Sequence, residues 1–330
     1  MRLVALCLLL LALLPACGRE RPSAQPSPPA SGEEEDPLGG FEEEELTGRI
    51  QVDGSSTVAP LMTLAAERFR KVEPKVRVTV GVSGTGGGFE RFCRSETDLS
   101  SASREIKDEE EQLCAKNRIS FFELQVANDG ISVVVNKENT WAECLTVDKL
   151  KAIWEPASKA KTWKDVDGSY PGEKLSLYGP GTDSGTFDYF TDAIVGEEGE
   201  SRSDYTQTEN DNIIVTGVAG EKGSLGYFGL SYYLANQNRL KALAIEGGKG
   251  CVQPSVETVQ DGSYAPLSRP LFVYVNADKL ADEAAIDPFL TFVLDNEPGL
   301  ARGAKFVPMR PEQIERERTV LESGGVGTKE

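Results

Sequence analysis

Histidine is absent from all 330 residues. That single omission removes Ser-His-Asp triads, Cys-His pairs and histidine-based metal centres together. Positive charge is scarce as well: 35 Lys and Arg stand against 53 Asp and Glu, a formal net charge of −18. This argues against nucleic acid as a partner, since its phosphates require a basic face. It argues less strongly against a small anion, because remote charges are screened within about 10 Å and local dipoles can hold a buried ion. The Gly-Lys-Ser/Thr ending of a nucleotide P-loop and the Gly-x-Ser-x-Gly spacing of a hydrolase elbow are both missing. The loops also lack the dense carboxylate clusters of metal-assisted phosphatases. Beyond the first residues no apolar run approaches the roughly 20 residues that span a bilayer.

What is present starts with Met1-Arg2, the apolar run Leu3 to Leu14, and then Leu14-Pro15-Ala16-Cys17. A charged start, a short apolar run and a small residue form the secretory signal pattern, so residues 1–16 read as a signal peptide. A Cys directly after the small residue resembles the bacterial lipobox. The resemblance implies that Cys17 is acylated and becomes the mature N-terminus, anchoring the chain in the cell envelope on the outer or periplasmic face of a membrane. Residues 17–47 are rich in Pro, Ser and charge, with acidic runs at Glu33-Glu34-Glu35-Asp36 and Glu42 to Glu45. Such a stretch buries too little apolar surface to offset its ordering entropy and reads as a flexible stalk. The remaining 280 or so residues suffice for two lobes. Cys7 leaves with the signal and Cys17 takes the lipid. Cys93, Cys114, Cys144 and Cys251 remain, enough for two disulfides in an exported chain, with three pairings open.

Strand and helix signals alternate along the folded part, which argues an α/β fold with largely parallel sheets. Ile50-Gln51-Val52 is followed by a helix striped with Val58, Leu61, Met62, Ala65 and Phe69. Val76, Val78, Val80 and Val82 then alternate with polar residues. Further strands are expected at Phe121 to Val126, Ile131 to Val135, Leu175 to Tyr178 and Leu271 to Val275. Helices are expected at Thr146 to Trp154, Phe187 to Val195, Asn212 to Ala219 and Ile286 to Leu294. Trp141, Trp154 and Trp163 read as packing residues, and Tyr227, Phe228, Tyr232 and Tyr233 as core.

Three loops share one design. DGSSTVAP (Asp53 to Pro60), GVSGTGGGF (Gly81 to Phe89) and GPGTDSGTF (Gly179 to Phe187) each carry a strand end into a helix. A first helical turn leaves backbone N–H groups without partners and carries partial positive charge, which suits an anion. Glycine lets the backbone approach closely, and Ser or Thr adds a hydroxyl donor. A fourth segment, TDLSSASREI (Thr97 to Ile106), adds hydroxyls and the cation Arg104. One such loop is a common capping turn; several together, at the carboxyl ends of strands, mark a binding crevice.

In order and spacing, IQVDGSSTVAPLM, VTVGVSGTGGGFERFC, ETDLSSASREIK, LYGPGTDSGTFDYF, GSLGYFGLSYY and PLSRPLFVYVN resemble the phosphate-binding proteins of bacterial phosphate ABC importers. The resemblance implies a two-lobed periplasmic-binding-protein fold, two α/β domains joined by crossover strands with a ligand cleft between them. It places lobe I at 48–127 plus 268–330 and lobe II at 128–267. It implies a monomeric receptor, not an enzyme, that needs no cofactor or metal. Such a receptor binds inorganic phosphate and passes it to ABC permease subunits. By that likeness, Ser56 and Thr57 are donors of the first loop, Ser83 of the second, and Ser184, Gly185 and Thr186 of the opposite lobe. Ser103 stands where many members carry an Asp that accepts the phosphate proton, and Pro180 where many carry an Arg. Arg104 is therefore assigned the cationic role, and Asp183 or Asp53 that of proton acceptor. Cys93–Cys114 and Cys144–Cys251 follow as disulfides because each pair then lies within one lobe. Two other readings are a receptor for a sulfate-like oxyanion and a secreted phosphohydrolase using Ser or Asp as nucleophile. A third is a surface lipoprotein that keeps the fold without the ligand. If the lipobox is used, Cys17→Ser should move the protein from the membrane fraction to the soluble fraction; unchanged membrane retention would point to another anchor.

Overall fold

The alternating signals resolve into strands and helices in a computed structural model that describes residues 45–182, 184–208 and 210–325. The first part of the chain runs β1 (Gly48–Gly54), α1 (Ala59–Val72), β2 (Val76–Val80), α2 (Gly84–Phe92), β3 (Leu99–Ala102) and α3 (Asp108–Lys116). A long strand, β4 (Phe121–Asn136), then carries the chain away. The middle part comprises β5 (Cys144–Thr146), α4 (Val147–Trp154), α5 (Trp163–Val166), β6 (Ser176–Gly179) and α6 (Gly185–Phe190). It continues with β7 (Thr206–Gln207), α7 (Asp211–Gly220), β8 (Ser224–Gly229), α8 (Leu230–Ala235), β9 (Leu240–Ala242), β10 (Ala244–Glu246), β11 (Cys251–Val252) and α9 (Val256–Gln260). The return strand is β12 (Ser268–Asn276), followed by α10 (Ala277–Asp282), α11 (Ile286–Asp295), α12 (Glu297–Gly303) and α13 (Pro311–Glu322).

One sheet of the order β2-β1-β3-β12-β4-β8-β6-β7, with β9 also on β4, runs through both lobes. In the first lobe β1 is parallel to β2 and β3. In the second, β6 is parallel to β7 and β8. Between them β4 and β12 run antiparallel as the two crossover strands. The stretch Phe121 to Gly130 pairs with β12, whereas Ile131 to Val135 pairs with β8. Two expected strands thus prove to be one. Asn128-Asp129-Gly130 has the composition of a turn. It stays extended because Asp129 lies opposite Arg269 in the ladder. A small second sheet, β11-β10-β5, completes the second lobe.

Each lobe has its own core. Ile50, Leu61, Met62, Phe69, Val273 and Phe289 cluster in one; Trp154, Trp163, Phe190, Tyr227 and Ile245 cluster in the other. Trp141, Tyr232 and Tyr233 pack at the edges of the second-lobe clusters and Phe228 lies within one. The bonds Cys93–Cys114 and Cys144–Cys251 are both present, joining α2 to α3 and β5 to β11. Each closes its loop inside one lobe and leaves the crossover unlocked. The helix expected to run from Phe187 to Val195 is split, ending as α6 at Phe190 and continuing as a wider π-helical turn, Thr191–Val195.

The chain after α12 braces the crossover. Asn128 and Val307 exchange two backbone hydrogen bonds of 2.9 Å, and Gln260 Nε2 donates to the Pro308 carbonyl at 2.7 Å. This segment is held from the first lobe by Glu297, a fully buried residue whose carboxylate accepts from Met309 N at 2.9 Å. Its other oxygen has no partner. Burial raises its pKa to about 7, above the ~4.3 of an unfolded glutamate. The folded state therefore binds the proton more tightly. The resulting stability is fully present below the unfolded pKa and is lost as pH rises through the folded one. From pH 5 to pH 8 the wild type should lose up to about 3 kcal/mol through this group. Glu297→Gln should flatten that fall in denaturant unfolding. The same pH slope in both proteins would contradict this account of Glu297.

Candidate functional site

The first loop is shaped by one glycine. Gly54 ends β1 at φ +134°, and a Cβ there would lie 2.1 Å from the Ser101 carbonyl oxygen. Glycine is the residue that tolerates this region and this approach. The turn delivers Ser55, Ser56 and Thr57 to the start of α1, whose second residue, Pro60, suits the first helical turn. Asp53 lies beneath it. Its carboxylate accepts from Gly54 N at 2.7 Å, from Ser83 Oγ at 2.8 Å and from the Arg91 guanidinium. Asp53 thereby ties the second loop to the first, with Ser83 spending its proton inside that tie. With three donors on its carboxylate, Asp53 has a structural role in holding the two loops together. Asp183, the other candidate, and Cys17 lie outside the described residues.

The two lobes meet where the loops face. Thr57 Oγ1 donates to the Gly185 carbonyl at 3.1 Å, and Ser56 Oγ donates to Asp188 Oδ2 at 3.1 Å. A Cβ on Gly185 would fall 2.5 Å from Thr57 Oγ1 and 2.7 Å from Thr57 N. The hydroxyl and backbone of Thr57 leave no room for a side chain there, which explains the glycine. Ser184 is the N-cap of α6 and accepts from Thr186 N at 3.2 Å. Ser103 closes the first-lobe side, its hydroxyl 3.0 Å from Thr85 Oγ1.

Arg104 is paired within its own lobe. Its guanidinium is taken by Glu110 in a two-pronged pair, both contacts 2.8 Å. That bond is the main reason its pKa is raised. A cation that bonds both Thr57 and Ser103 is Arg269, on β12. It donates from Nη2 to Thr57 Oγ1 at 3.0 Å and from Nη1 to the Ser103 carbonyl at 3.1 Å. Its guanidinium carbon lies 3.5 Å from the centroid of the Tyr189 ring, on α6 of the opposite lobe. Tyr189 is itself anchored by donating to the Pro266 carbonyl at 2.7 Å.

Burial dominates the titration of this region. It raises the pKa of Asp129 and Asp188, with Arg269 opposing both and Ser56 also opposing at Asp188. It also raises Glu198 on the lobe II side. It lowers Arg269, against the charge of Asp129. Among the described residues no group of three or more His, Cys, Asp or Glu is placed to hold a metal. Arg269 and Asp188 were missed in the sequence. An Arg immediately before the apolar run Pro270-Leu271-Phe272-Val273 was the available signal for the first. Asp188, in the first turn of α6, offered none.

Two α/β lobes on paired crossover strands, with small polar loops facing across a cleft, define the class of solute receptors built like periplasmic binding proteins. Residues 24–297 match the PBP superfamily domain. A SphX protein of Synechocystis sp. is 44% identical over 281 residues, covering 84% of this chain and 84% of that protein. A PstS phosphate-binding protein of Staphylococcus aureus is 38% identical over 270 residues, covering 82% and 81%. Among solved structures, a possible phosphate-binding protein from Planctomyces limnophilus superposes with a TM-score of 0.81 at 43% identity, over 84% of this chain and 99% of that one. The chain belongs to the PBP superfamily, in the group of PstS and SphX proteins.

Proposed function

We propose that this protein is an extracytoplasmic receptor that captures inorganic phosphate between its lobes and delivers it to an ABC importer. It acts as a monomer tethered through the lipid on Cys17. The observation that carries the reading is the facing of Ser56 and Thr57 against Gly185 and Asp188 across the lobes, at hydrogen-bond distance. Relatives over four-fifths of the chain named as phosphate-binding proteins support the same ligand. In this reading Ser56, Thr57 and Ser103 supply donors from one lobe and Ser184, Gly185 and Thr186 from the other, while Ser83 braces the first loop through its bond to Asp53. Arg104 adds charge at range from its pair with Glu110. A buried dianion must exchange its whole hydration shell for fixed donors, and a ring of neutral groups from helix starts does so.

Choosing phosphate over sulfate needs an acceptor for a proton that sulfate lacks. Asp188 fits this role: its carboxylate is half buried, already accepts from Ser56 and sits at the meeting of the lobes. Calorimetry with phosphate, arsenate, sulfate and molybdate tests the assignment. Phosphate and arsenate should bind, with sulfate at least about tenfold weaker. Asp188→Asn should narrow that gap by a similar factor. Equal affinity for sulfate would leave an oxyanion receptor and defeat phosphate. An unchanged gap in Asp188→Asn would remove Asp188 from the reading. Hydrolysis of a phosphate monoester by the protein would favour the enzyme alternative.

A further inference from the structure

Arg269 occupies an unusual position for a charged residue. It lies on β12 directly opposite Asp129 on β4, so the pair sits on the two strands that join the lobes. Its side chain is only 14% exposed and that of Asp129 only 7%. An ion pair taken out of water is stable only when its geometry is close and its donors are met. Here the contact to Asp129 is long, 3.5 Å. A guanidinium offers five N–H donors. The Thr57 hydroxyl and the Ser103 carbonyl take one each, while Nε is buried without a partner. The flat face of Tyr189 covers the group from the other lobe. Neutral and aromatic contacts hold this cation more closely than its one carboxylate does.

Arg104 differs on each point. Both of its prongs meet Glu110 at 2.8 Å, which satisfies both its charge and its geometry. An arriving anion would have to displace that carboxylate. At Arg269 it would instead find a desolvated, under-compensated charge one hydrogen bond from Thr57 and Ser103.

We propose that Arg269 is a ligand-binding residue, the cation that directly compensates the captured oxyanion. The proposal deepens the phosphate reading and rests on it. The guanidinium fork suits two oxygens of a tetrahedral anion. Binding there also engages Thr57, whose hydroxyl reaches the Gly185 carbonyl of the opposite lobe.

The test is phosphate calorimetry on the wild type, Arg269→Gln, Arg269→Lys and Arg104→Gln. Arg269→Gln should weaken binding at least ~100-fold. Arg269→Lys, which keeps the charge but loses the fork, should weaken it about tenfold. Arg104→Gln should stay within about threefold, as expected for a charge acting at range. A wild type that binds phosphate alongside an Arg269→Gln variant that binds it equally well overturns the proposal alone. A larger loss in Arg104→Gln than in Arg269→Gln does so too. A wild type that ignores phosphate overturns the phosphate reading beneath it. Because loss of a buried Arg can prevent folding, the unmutated protein supplies a second readout. In arginine-labelled protein, the Arg269 Nε–H NMR signal, identified by its absence from Arg269→Lys, should move with phosphate and stay still with chloride. A signal unmoved by phosphate overturns the assignment.

Discussion

The contact between Gly185 and Thr57 sets the geometry on which the remaining features depend. It brings the first turn of α6 onto the first-lobe loop, and a Cβ at Gly185 would collide with both the hydroxyl and the backbone of Thr57. Because Gly185 carries no side chain, the Thr57 hydroxyl reaches its carbonyl and the hydroxyls of the first loop face α6. The elements behind them make the approach possible. Gly54 turns the end of β1 against Ser101, and Asp53 ties the second loop to the first. Ser184 caps α6 so that its first turn begins at the contact. The two disulfides stiffen each lobe separately.

A net charge of −18 and an anion ligand are reconciled locally. Part of the negative charge lies in the acidic runs before the folded lobes, and exposed charges beyond a Debye length contribute little. At the meeting of the lobes the groups include hydroxyls, amides, the Arg269 guanidinium and the carboxylates of Asp129 and Asp188. Burial raises the pKa of both carboxylates, because their charged forms are poorly solvated there. The same low polarity strengthens a hydrogen bond made to an ionised partner.

Much of this was legible in the residues. The valine alternation of β2, the stripe of α1 and the Ser/Thr/Gly loops at strand ends all report local periodicity or turn chemistry, which the chain states directly. The disulfides followed once the lobes were assigned. What stayed hidden depended on partners distant in sequence. Asp129-Gly130 looked like a break because local turn preference was visible and its cross-strand partner, 140 residues away, was not. Arg269 looked like part of a strand, and Arg104 was preferred because it sat beside the hydroxyls. The pairing of Arg104 with Glu110, only six residues further on, was not apparent either. Asp188 needed the docking of one lobe on the other before its closeness to Ser56 could be known. Asp53 was identified as a site residue, but its role as a tie between loops emerged only with Ser83 and Arg91 in place.

The central claim is that one oxyanion is held at the facing loops with Arg269 as its direct cation. A crystal structure of the protein grown with phosphate tests it most directly. The account predicts one tetrahedral anion between Ser56-Thr57 and Ser184 to Thr186, with an oxygen within about 3 Å of the Arg269 guanidinium. An anion bound instead by Arg104, with Glu110 displaced, or one lodged away from these loops, would contradict it.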